Sequence, residues 1–75
     1  MIIKILGAGC KKCVTLADNA RAAAAAKGVS AEIVKITDYA EIAAHGVMST
    51  PGLMIDDKLV STGRVLSPDE IAALI

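Results

Sequence analysis

Cys10 and Cys13 stand three residues apart with Lys11 and Lys12 between them. Two thiols at this spacing can carry out disulfide exchange. One thiolate attacks a partner disulfide, and the second then displaces the partner by closing an internal bond. The same two sulfurs suit a soft metal ion such as Cu(I) or Zn. A bond between them would close a tiny loop and constrain the unfolded chain little, so the pair is a poor structural staple. Two cysteines that only fill space are the plain alternative, and their position in the chain speaks against it.

That position is a strand-to-helix junction. Ile2–Leu6 is a short, nearly continuous apolar run bounded by Gly7-Ala8-Gly9, the pattern of a buried strand ending in a tight turn. Lys11–Lys27 contains neither Pro nor Gly and is dominated by alanine, which predicts a helix stopped by Gly28. A cysteine at a helix N-terminus meets unpaired N–H groups and the positive end of the macrodipole, both of which favour an anion. Cys10 is therefore the expected nucleophile. Lys11 and Lys12 add positive charge that lowers a thiol pKa, an effect that solvent screening weakens. Cys13, one turn inside the helix, is the expected resolving thiol, less exposed and protonated until it attacks. A tetrahedral zinc site would need two further ligands, and His45 is the only other Cys or His in the chain. No metal site is expected, and the chemistry requires no cofactor.

The remaining elements must hold this junction. Residues 31–36 carry Ile33, Val34 and Ile36 as a second strand, and Asp38 with Glu41 reads as a capping box for a short helix ending at Gly46. After Val47-Met48-Ser49-Thr50-Pro51 come a strand at Gly52–Ile55, a polar turn at residues 56–58 that lacks glycine, and a partner strand at residues 59–62. Ser67, Pro68 and Glu70 supply an N-cap, a first-turn proline and a capping-box acid for a last helix carrying Ile71, Leu74 and Ile75. The alanine run at residues 22–26 reads as helix-forming filler.

Composition narrows the partners. The chain has 75 residues, enough for one domain, 1–75, with a thin core. Tyr39 is the sole aromatic, so that core must be aliphatic. Lys plus Arg and Asp plus Glu both number 8, which leaves no overall field to attract nucleic acid or an anionic membrane. The N-terminal apolar run is too short for a signal-peptide core and no stretch is long enough to span a membrane, so the expected location is cytoplasmic.

Gly9-Cys10-Lys11-Lys12-Cys13, then Gly46-Val47-Met48-Ser49-Thr50-Pro51-Gly52 opening a strand, then Gly63 after the last strand form a recognisable set. Across essentially its whole length the chain resembles the thioredoxin superfamily, in particular its small bacterial and archaeal thioredoxin-like or glutaredoxin-like redox-active disulfide proteins. The resemblance implies a minimal thioredoxin fold of the α/β class, β-α-β-α-β-β-α. Its four-stranded mixed sheet has the order 2-1-3-4 and is flanked by three helices. The first two strands are parallel through a right-handed crossover, and the last two form a hairpin antiparallel to them. It further implies a cis Pro51 packed against the disulfide and a Thr50 backbone that pairs with an extended substrate. A cis X-Pro bond costs little more than the trans form and removes an N–H donor, as a tight turn beside a redox site requires. The implied activity is that of a thiol–disulfide oxidoreductase, a protein disulfide reductase that acts on a disulfide-containing protein and is restored by a separate reductase. Either a monomer or a weak homodimer is compatible with it.

The departures are specific. Thioredoxin proper has Trp before the first cysteine and Gly-Pro between the pair, where this chain has Gly9 and Lys11-Lys12. Thioredoxin also places a buried acid on the strand before the motif, and that strand here offers Lys4 as its one ionisable group, leaving the proton acceptor for Cys13 unassigned. The Tyr or Phe that glutaredoxins carry beside the pair is missing, which argues against direct use of glutathione. The early Cys-x-x-Cys is shared with heavy-metal-associated copper chaperones. Those have Met where this chain has Ala8, however, and no helix like that after Asp38 between their second and third strands. Of the other polar or sulfur-bearing residues, His45 reads as a helix C-terminal cation and Arg64 as a surface residue. Lys4 reads as a lysine that snorkels to solvent. Met48 and Met54 read as core filler, with Met48 a candidate groove contact beside Thr50.

Overall fold

Side chains alternate across a strand, so the first strand must feed two layers at once. The computed structural model, which describes residues 1–8 and 11–75, shows how. Among the described residues the elements run β1 (Ile2–Leu6), α1 (Lys11–Lys27), β2 (Glu32–Ile36), α2 (Tyr39–Ala44), β3 (Gly52–Ile55), β4 (Lys58–Thr62) and α3 (Pro68–Ala72). The sheet order is β2-β1-β3-β4, with β1 parallel to β2 and antiparallel to β3, and with β3 and β4 an antiparallel hairpin. This is the minimal thioredoxin fold.

Ile3 and Ile5 of β1, with Leu53 and Ile55 of β3, face Leu16, Ala17, Ala20 and Ala23 of α1 and Ile71 of α3. Leu6 and Met54 point the other way, onto Ile36, Ile42 of α2 and Val47. The fully buried alanines of α1 let the helix backbone approach the sheet closely, which is how a core without aromatics is filled. Each Leu or Ile buried in this way contributes roughly 1.5–3 kcal/mol relative to exposure.

The ends of the elements follow local chemistry. At the close of α1 the Gly28 N–H donates to the Ala25 carbonyl and the Val29 N–H to that of Ala24, at 3.1 and 2.9 Å, a Schellman closure. The close of α2 repeats it through Gly46 and Val47, with Gly46 at φ +82° and His45 as the C-cap residue. Val47 thereby folds back onto Ile42. Asp38 caps α2 by accepting the Ala40 N–H at 3.1 Å, one residue short of the Glu41 N–H that a capping box uses. At α3 the full box is present, with Ser67 and Glu70 exchanging bonds of 3.2 Å.

Three boundaries differ from the sequence expectation. β2 begins at Glu32, and α3 ends at Ala72, so Leu74 lies past the helix and is exposed. The β3–β4 turn has two residues, Asp56 and Asp57, at φ 49° and 66°. Asp tolerates the left-handed region better than most residues, and both carboxylates are occupied. Asp56 accepts the Ile2 N–H and Asp57 accepts Lys4 Nζ, each at 2.9 Å. Tertiary bonds to β1 thus supply what glycine usually supplies in such a turn. No helix among the described residues is long and apolar enough to cross a membrane.

Candidate functional site

The parallel pairing of β1 with β2 continues one residue past the strand, where the Gly7 N–H donates to the Ile36 carbonyl at 2.9 Å. This fixes the backbone of Gly7 directly beneath the first turn of α1. Cys13, in that turn, is 5% exposed. A Cβ placed on Gly7 would overlap Cys13 Sγ and stand 3.5 Å from Cys13 Cβ and 3.7 Å from Thr50 Cβ. Gly7, Cys13 and Thr50 therefore meet at one point, brought from the end of β1, the start of α1 and the segment before β3. Gly9 and Cys10 lie outside the described residues.

The segment that brings Thr50 in is tightly held. The Thr50–Pro51 peptide bond is cis. Pro51 is fully buried and its carbonyl accepts the Gly63 N–H at 2.9 Å, whereas Thr50 is exposed. The next residue, Gly52, pairs with Leu6 of β1, and a Cβ there would come within 2.9 Å of Val47 Cγ2. Lys11 and Lys12 are both exposed at the start of α1.

Beside Cys13 lies a small apolar pocket of about 40 Å³, lined by Ile5, Gly7, Cys13, Val14, Lys35 and Thr37. Ile5 and Gly7 reach it because they share one face of the chain, and Lys35 because it is the partner of Ile5 in the parallel register. Sequence reading assigned no role at the site to Ile5, Lys35 or Thr37 and took Gly7 only as a turn residue. The equal parity of residues 3, 5 and 7 was the available signal for Ile5 and Gly7. No such signal existed for Lys35 and Thr37, which depend on the register between strands.

Lys4 is not at the site. It faces the layer opposite Ile5 and pairs with Asp57 at 2.9 Å. Its hydrogen bond, and then its charge, hold the Asp57 carboxyl below the usual carboxylate range. At the far end of the hairpin the Glu70 carboxyl is also lowered, first by the Ser67 backbone N–H and then by Arg64, whose guanidinium lies 3.2 Å away. Of the two methionines expected as core filler, Met54 is buried, but Met48 is 93% exposed in the loop before Thr50. Val47 takes the core place beside it. Among the described residues no three His, Cys, Asp or Glu side chains gather as a metal site.

Comparison with known proteins gives three concordant results. A family model described as a thioredoxin domain matches residues 1–75. A thioredoxin of Methanocaldococcus jannaschii is 44% identical over 71 residues, spanning 95% of this chain and 81% of that protein. A thioredoxin of Methanothermobacter thermautotrophicus is 40% identical over 75 residues, spanning 100% of this chain and 97% of that protein.

Proposed function

Because the chain belongs to the thioredoxin family and has a thiol–disulfide oxidoreductase type of role, we propose that it reduces protein disulfides through Cys10 and Cys13, as one domain spanning residues 1–75. The observation that carries this reading is the placement of Cys13. It is a buried cysteine in the first turn of a helix, sharing the surroundings of Gly7 with the exposed Thr50, and three residues after a second cysteine.

In the proposed cycle the Cys10 thiolate attacks one sulfur of the substrate disulfide. A Cys10–substrate disulfide forms, and the other substrate sulfur leaves as a thiolate and takes a proton from solvent. Cys13 then loses its proton and attacks the Cys10 sulfur, which forms the Cys10–Cys13 disulfide and expels the second substrate thiolate. Two electrons pass from the pair to the substrate. A separate dithiol reductase returns them, and such reductants are available in the cytoplasm. Lys11 and Lys12 favour the Cys10 thiolate. Thr50 offers its backbone to an extended substrate beside the sulfurs, and Pro51 anchors that segment in the core.

The test is reduction of a model disulfide by the wild type, Cys10→Ser and Cys13→Ser. The expected result is no exchange by the first variant and a trapped mixed disulfide with the second. Full activity in Cys10→Ser would sink the reading, and stoichiometric Cu(I) or Zn binding by a wild type that performs no exchange would replace it with a metal-binding role.

A further inference from the structure

Gly7 does not need to be glycine for its backbone. It is absent from the residues with positive φ, where only Gly28, Gly46 and Gly63 stand among the described glycines. What it requires is space. The overlap that a Cβ would create is with the sulfur of Cys13 first, and with Thr50 Cβ only at an ordinary 3.7 Å.

The backbone is held on both sides of this contact. The Gly7 N–H is bonded to Ile36, and the preceding residue, Leu6, is paired with both Ile36 and Gly52. On the other side, α1 is seated through Leu16, Ala17 and Ala20, all fully buried against Ile3 and Ile5. A side chain at position 7 could be accommodated only by turning the Cys13 side chain, and the room for that lies in the pocket between Ile5, Val14, Lys35 and Thr37.

Building on the proposed exchange cycle, we infer that Gly7 is the positioning residue for the resolving thiol. By lacking a side chain it lets the Cys13 sulfur rest on the end of β1 beside Thr50 and out of the neighbouring pocket. Displacement of a reacting atom by about 1 Å can cost on the order of 100-fold in rate. The affected step is the second one, in which Cys13 bonds to the Cys10 sulfur and the substrate thiolate leaves. The first attack forms its bond at the Cys10 sulfur, so it is the less affected of the two.

A single-turnover reaction with a chromophoric aromatic disulfide separates the two steps, because one aromatic thiol is released at each. In Gly7→Ala the second release is expected to slow by about 100-fold, and by more than the first. A second release at the wild-type rate would overturn the inference. Urea unfolding supplies the structural control, with Gly7→Ala made in the wild type and in Cys13→Ala. The substitution should destabilise the first background and leave the second nearly unchanged, and equal loss in both would overturn the assignment. If Gly7→Ala alone does not fold, recovery of the fold in Gly7→Ala/Cys13→Ala supports the sulfur contact, and failure to recover it refutes that contact. A wild type that releases neither thiol rejects the exchange cycle itself, whereas normal wild-type release with an unimpaired variant rejects only the role of Gly7.

Discussion

Ile5 of β1 is paired with Lys35 of β2, and both border the pocket against Cys13. The strand residue facing Cys13 is thus apolar, and among the described residues no carboxylate lines the pocket. Among the described lining residues Lys35 supplies the one charged side chain. Lys35 is exposed, while the wall of the pocket is almost wholly apolar, so the lysine stem lies along it with the ammonium toward solvent.

In the proposed cycle a cation at that rim would favour the Cys13 thiolate as it forms. Lys35→Met should therefore move the pH dependence of the second thiol release to higher pH. Because the charge is exposed and screened, the rate at neutral pH should fall by less than about tenfold. An unshifted profile would show that Lys35 acts only through its stem.

Lys11 and Lys12 project exposed positive charge at the start of α1, where the proposed cycle would bring the substrate, in a chain whose overall charge balances. Two unit charges 4 Å apart in water interact by about 1 kcal/mol, which is roughly fivefold in rate. Lys12→Gln should slow reduction of a peptide disulfide flanked by acidic residues by about that factor at low salt, and the difference should disappear near 1 M salt. Equal rates at low salt would remove any steering role.

Leu16 is fully buried where α1 crosses β1, whereas Val14 on the same helix is 46% exposed. Leu16→Ala should lose about 2–5 kcal/mol, through lost transfer energy and the cavity left behind. In a domain this small that is a large part of total stability. Val14→Ala should stay within about 0.5 kcal/mol. Urea unfolding of both variants measures the contrast.

Ser67→Ala should cost about 1 kcal/mol by opening the capping box of α3. The Glu70 carboxyl is lowered in the folded chain, first by the Ser67 backbone N–H. Its contribution is therefore complete above about pH 4.3, the usual value for an unfolded glutamate, and is lost as pH falls through the lower folded value. Stability measured against pH should fall less steeply on the acid side in Glu70→Gln than in the wild type. Identical acid limbs would contradict the link.

Much of the fold was legible because it follows from local rules. Apolar runs of strand length, an alanine-rich stretch without breakers and glycines just past two helices placed the elements in order. Ser67-Pro68-Asp69-Glu70 marked the last helix as plainly as a structure does. The turn at Asp56 and Asp57 was legible only as a turn, since its left-handed residues are held by Ile2 and Lys4, more than fifty positions away. Met48 misled because its hydrophobicity gives no information about which of two adjacent apolar residues, Val47 or Met48, the chain turns inward.

The sequence by itself supplied the cysteine pair proposed for exchange, its expected place at a strand-to-helix junction and the segment carrying Thr50 and Pro51. Alternation along β1 also required Lys4 and Ile5 to face opposite sides. Only the tertiary structure decided which side carries Cys13. That choice rests on the packing of α1 onto Ile3 and Ile5, a sum of contacts between residues distant in the chain. It moved Lys4 away from the thiol and brought Ile5, Lys35 and the bare backbone of Gly7 against it.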